Sequence, residues 1–234
     1  MPDIELTFSR SEYADRLSKT RIAIQAAGLD ALIVVDPSNM AWLTGYDGWS
    51  FYVHQGVVVT LDDEPLWWGR RMDAAGAARI VYMRESQILG YHDDYVQSTE
   101  RHPMQDLAAE LHSRGMARHN IGVEMDNYYF SAAAWETLKR TLPNAKFSDA
   151  TALVNWQRVI KSAAEIALMH KAATLVELMH AKIREQFRPG LRKNDLVAEI
   201  YASAIRGTED FGGDYPAIVP LLPTGKDAAA AHLT

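Results

Sequence analysis

The chain has 234 residues, 48% of them hydrophobic, with 24 Lys and Arg against 30 Asp and Glu, for a net charge of −6. That is apolar material for one large or two modest cores, and an acidic balance without any basic run interleaved with aromatics argues against nucleic acid as a partner. The absence of cysteine excludes a disulfide framework, a thiolate zinc site and a cysteine nucleophile, and no signal-peptide pattern or membrane-length apolar run is present, so a soluble, cytoplasmic protein with no membrane partner is expected.

Ser9 and Glu12 stand at capping-box spacing, and Tyr13, Leu17, Ile24 and Ala27 mark the buried side of a first helix that Gly28 ends. Ala31 to Val35 is a short apolar run between Asp30 and Asp36-Pro-Ser-Asn39, which predicts a strand covered on both faces. Asp36 or Ser38 can cap a short helix toward Trp42. The runs Gly56 to Leu61 and Leu66 to Trp68, joined by Asp62-Asp-Glu-Pro65, predict a hairpin. Helices are expected at Arg71 to Ile80, at Pro103 to Arg114 before Gly115, and at Ser131 to Leu142, with a strand at Ile121 to Met125. Alternating strands and helices predict an α/β mixed-sheet layer domain over residues 1–155, with helices on both faces. Trp156 and Val159 are expected to pack a connecting helix.

The last third opens on a second capping box, Ser162 with Glu165. Ile166, Met169, Ala173, Val176, Ile183 and Phe187 recur at helical spacing, so this face should seek a core, until Arg188-Pro-Gly190 ends the helix. Asn194 can cap another helix with Leu196, Ile200 and Ala204 on its apolar side and Gly207 at its end. Tyr215 to Gly225 reads as a strand interrupted by prolines and a glycine, leading to His232.

Walker A, Gly-x-Gly-x-x-Gly, His-Glu-x-x-His and Gly-x-Ser-x-Gly patterns are all absent. His170 and His180 lie nearly three helical turns apart, too far to share a metal. Trp49, Phe51, Tyr52, Trp67 and Trp68 cluster in sequence near Arg70 and Arg71. Core packing accounts for at least half of those aromatics. A guanidinium beside indole rings nonetheless suits a small carboxylate, and Trp49, Tyr52, Trp68 and Arg70 are the substrate-binding candidates. Asp214 and Tyr215, beside Gly212-Gly213, are candidates to face a cationic group, although Gly-Gly-Asp is also ordinary turn chemistry.

Arg158-x-x-Lys161-Ser-x-x-Glu165-Ile, then Pro189-Gly190 and a histidine after an alanine-rich segment, resembles the start of the "pita-bread" catalytic domain of the creatinase, prolidase and aminopeptidase P family. The Gly45 to His54 and Pro65 to Arg70 segments look closer to its creatinase branch, which includes the bacterial ectoine hydrolases. The resemblance implies an N-terminal α/β domain followed, over residues 156–234, by the first helices and strand of an α+β domain. It also implies a hydrolase that cleaves a C–N bond in a small cyclic amidine or guanidine-type compound, with His232 as the catalytic acid-base. In creatinase-like homodimers the N-terminal domain lends residues to the neighbouring subunit's cleft, a role expected here of Arg70. An Xaa-Pro peptidase and an inactive protein-binding module remain the alternatives. The peptidases hold two metals through residues beyond the histidine that His232 resembles, positions this chain does not contain. No cofactor is expected for the creatinase-like reading, and two divalent metals for the peptidase one. The resemblance further implies that the chain is the amino-terminal portion of a longer enzyme and inactive alone.

Overall fold

The computed structural model describes residues 4–230 and 232. The chain divides into two compact units, residues 1–160 and 161–234.

The first unit is a six-stranded mixed sheet with helices on both faces. Its elements are α1 (Arg10–Ala26), β1 (Ala31–Val34), α2 (Pro37–Thr44), β2 (Gly56–Thr60), β3 (Leu66–Arg70), α3 (Arg71–Ile80), β4 (Ile88–Tyr91), α4 (Pro103–Ser113), β5 (Asn120–Val123), α5 (Ala132–Thr141), β6 (Lys146–Asp149) and α6 (Leu153–Gln157). The strand order is β4-β3-β2-β1-β5-β6. β1, β2 and β3 pair antiparallel, whereas β3–β4, β1–β5 and β5–β6 pair parallel.

Central β1 shows why a continuous apolar run was needed. Successive side chains point to opposite faces, and all four of its residues are buried. Ala31 and Ile33 join a core under α4 and α5 with Trp68, Leu107, Leu111 and Leu138. Leu32 and Val34 join the opposite core with Ile24, Leu43, Trp67 and Val154. Each such aliphatic side chain contributes roughly 1.5–3 kcal/mol by leaving water.

Caps set most helix boundaries. Ser9 accepts from Glu12 N, but Glu12 turns to Arg16 at 3.1 Å instead of reaching back, so the first box is only half formed. Asp36 caps α2 through Asn39 N. On α1 the buried residues are Tyr13, Arg16, Leu17, Thr20 and Ile24, while Ala27, expected inside, is exposed at the helix end. Gly28 and Gly207 take the positive φ values, 69° and 67°, that suit them to end helices. Two edge strands, β4 and β6, and the helix α6 complete the unit. Trp156 on α6 is 73% exposed, while Val154 is buried and Leu153 packs against the same core, correcting the expectation for Trp156.

The second unit contains α7 (Ala163–Gln186) and α8 (Lys193–Arg206). Both bonds of the Ser162–Glu165 box form. α8 starts two residues earlier than expected, with Arg192 rather than Asn194 as its N-cap, and buries Leu196, Ile200 and Ala204. The apolar stripe of α7 does not reach a core within the described residues. Ile166, Met169, Val176 and Phe187 are exposed, and no residue of α7 is fully buried. The predicted strand from Tyr215 to Gly225 is also absent. That stretch is bends and irregular backbone, because Pro216, Pro220 and Pro223 each lack the N–H a ladder requires.

Candidate functional site in the first unit

Arg70 is the last residue of β3 and lies opposite Tyr91, the last residue of β4, in the parallel ladder. A short 3-10 turn, Asp93–Tyr95, follows β4 and brings Asp93 back onto Arg70. The Arg70 Nε donates to Asp93 Oδ1 at 2.7 Å. This hydrogen bond holds the Asp93 carboxyl below its ordinary range and raises the Arg70 guanidinium. The two terminal nitrogens of Arg70 make no hydrogen bond among the described residues, so the end of its fork is open for a planar anion.

The Tyr91 hydroxyl donates to the His54 carbonyl at 2.8 Å, fixing the loop between α2 and β2 beside Arg70. His54 and His102 then meet with ring centroids 4.7 Å apart. Burial, reinforced by His102, lowers the His54 imidazole from 6.5 to about 4, so it is neutral at physiological pH. Burial also lowers His102, with Arg140 adding to the effect. Its Nδ1 accepts from Met104 N as the cap of α4, which leaves the other ring nitrogen to carry the proton. Tyr52, His54, Arg70, Tyr95, Arg101 and His102 line a cavity of about 500 Å³.

Of the residues singled out from sequence, Tyr52 and Arg70 share this cavity. Trp49 is 63% exposed, with its ring 6.0 Å from that of Tyr52, and lines a neighbouring hollow with Tyr52 and Asp73. Burial raises the Asp73 carboxyl there, against the opposing pull of Arg70. Trp68 is corrected to a core residue. It is fully buried, stacks 4.9 Å from Tyr91, and donates its indole N–H to Asp106 at 2.8 Å, so it supports the site from beneath. In the second unit, Asp214 and Tyr215 are exposed, and the Asp214 carboxylate accepts from Tyr215 N at 2.7 Å in local turn fashion. His232 lies in an exposed turn with φ 66°.

Sequence reasoning gave no role to His54, Asp93, Arg101 and His102. The one local signal was Arg101-His-Pro103 directly ahead of a helix, where a polar side chain is needed as a cap.

A second polar cluster lies at the carboxyl ends of β1 and β5. Glu124 is 3% exposed and accepts from Val35 N and Asp36 N at 2.8 Å and from Asn39 Nδ2 at 2.6 Å. Asn39 in turn receives Arg158 Nη1 at 2.6 Å and donates to Asn155 at 2.9 Å. Burial pushes the Glu124 carboxyl up to about 7, against the lowering effect of its donors. With both carboxylate oxygens engaged by the protein itself, this cluster ties α2 and α6 to the sheet and is not a ligand site.

Among the described residues no group of three or more His, Asp or Glu stands close enough to hold a metal ion. Nor is any helix long and apolar enough to cross a membrane.

Residues 16–160 match the creatinase/prolidase N-terminal domain family, and the chain belongs to it. It is 55% identical to the ectoine hydrolase of Halomonas elongata, over 100% of this chain and 60% of that protein. It is 24% identical to a creatinase from a Bacillus species, over 88% of this chain and 46% of that one. A prolidase from Thermococcus sibiricus superposes with a TM-score of 0.75 at 16% identity, covering 95% of this chain and 56% of the prolidase, a likeness of fold. The chain thus spans about half to three-fifths of the length of these relatives.

Proposed function

We propose that the chain works as the N-terminal part of a cytoplasmic, homodimeric hydrolase that opens ectoine to N-acetyl-diaminobutyrate. The observation that carries this reading is the 55% identity to an ectoine hydrolase, sustained over the whole chain. The prolidase likeness, at 16% identity, speaks to fold and gives the peptidase reading no separate weight.

Ectoine carries a carboxylate and a delocalised amidinium. Arg70, with its Nε fixed by Asp93 and its terminal nitrogens open, supplies a planar partner for the carboxylate, reaching the cleft of the neighbouring subunit. Asp214 supplies the anion for the amidinium. Water adds to the amidinium carbon as His232 takes its proton, the ring C–N bond breaks, and His232 returns that proton to the departing nitrogen, giving the amide and a free amine.

The test is turnover by the full-length enzyme of ectoine, creatine and an Xaa-Pro dipeptide at matched concentrations. Ectoine hydrolysis alone is the expected result. Xaa-Pro cleavage that depends on added divalent metal would transfer the protein to the peptidase reading.

A further inference from the structure

We infer that the cavity of the first unit is a small-carboxylate pocket with two guanidinium anchors, Arg70 and Arg101. This deepens the role given to Arg70 above and rests in part on that reading.

The walls argue for an anion. The cavity, about 500 Å³, falls within the size range of small-molecule sites. No carboxylate lines it, whereas the hollow beside β2 is lined by Asp30, Asp62, Asp63 and Glu64. Arg101 reaches Asp94 through Nη1 only, at a long 3.4 Å, and its guanidinium lies 5.9 Å from the centre of the Tyr95 ring. Its remaining donors, like the terminal nitrogens of Arg70, make no hydrogen bond among the described residues.

His54 and His102 line the same cavity, both held neutral by burial, so each ring keeps one N–H to donate without adding charge that must itself be neutralised. His102 and Pro103, the cap and first residue of α4, line the cavity, so it borders a helix N-terminus, where the dipole favours negative charge. Gln97, also in the wall, has φ 53°, an unfavourable conformation for a non-glycine residue of the kind found at ligand clamps. Tyr52, Tyr95 and Pro103 add apolar surface for the body of a ring-shaped acid.

The experiment is a titration of the 234-residue chain with benzoate, followed by the side-chain NMR signals of His54 and His102, with benzamide as the uncharged isostere. Saturable shifts of both rings with benzoate are expected, with benzamide binding at least tenfold more weakly. Arg101 is largely exposed, so Arg101→Gln should leave the fold intact while weakening benzoate about tenfold or more. Absence of saturable shifts, equal binding of benzamide, or wild-type affinity in Arg101→Gln would each overturn the pocket. If benzoate binds as expected while Arg70→Lys in the full-length enzyme leaves the KM for ectoine unchanged, the pocket stands and the substrate-anchoring reading falls.

Discussion

Arg70 Nε lies 2.7 Å from Asp93 Oδ1, and one strand register produces that contact. Pairing Arg70 with Tyr91 across the parallel β3–β4 ladder leaves Asp93 two residues further on, where the 3-10 turn folds it back. The guanidinium is thereby held by its inner nitrogen and presents its outer two.

This geometry predicts the behaviour of Arg70→Lys in the full-length enzyme. Lysine keeps the charge and loses the planar fork together with the Asp93 hold. The KM for ectoine should rise about tenfold or more, with thermal stability unchanged. Lost stability at an unaltered KM would assign Arg70 to structure.

Trp68 and Trp49 should behave oppositely. Trp68→Phe removes the donor to Asp106 and leaves a void in a fully buried position, so it should destabilise the first unit by about 1–3 kcal/mol. Trp49→Ala, at an exposed position, should shift stability by less than about 0.5 kcal/mol. Denaturant midpoints of the two variants decide the matter, and similar losses in both would contradict the assignment of Trp68 to the core.

Glu124 makes stability depend on pH. Its carboxyl titrates at about 7 when folded against about 4.5 as the reference, so the folded state holds the proton more tightly. The stability this adds is fully present below about pH 4.5 and is lost as pH rises through about 7, on the order of 1–3 kcal/mol. His54, lowered to about 4, acts in the other direction, its contribution being lost as pH falls from about 6.5. The useful quantity is therefore the difference between wild type and Glu124→Gln in denaturant midpoints from pH 5 to 8. The variant should lose the Glu124 slope, and its amide facing Asn39 Nδ2 should cost about 1–3 kcal/mol at pH 5. Parallel pH profiles would show that Glu124 does not titrate in this range.

His232→Ala in the full-length enzyme should bind ectoine and turn it over about 100- to 10,000-fold more slowly, with the acidic limb of the rate profile changed. Wild-type turnover across that limb would remove this histidine from proton transfer.

What the sequence determined by itself is what short-range physics controls. Ser9 and Ser162 cap helices where their capping-box spacing said they would, and Asp36, one of the two caps open to it, starts α2. The unbroken run in β1 announced a strand buried on both faces. The tertiary structure decided the rest. The edge strands β4 and β6 were not legible, since a strand paired on one side needs no apolar run, and Lys146-Phe-Ser-Asp149 has none. The stripe on α7 showed which residues are apolar, yet its exposure depends on which surface stands opposite, and that is not encoded in the periodicity of a single helix. Trp67 and Trp68 looked alike beside Arg70, but alternation on β3 sends each into a different core and neither into the cavity. His54, Arg70, Arg101 and His102 come together only because the β3–β4 register, the Tyr91 hydroxyl and the start of α4 converge at one edge of the sheet, a set of contacts between residues far apart along the chain.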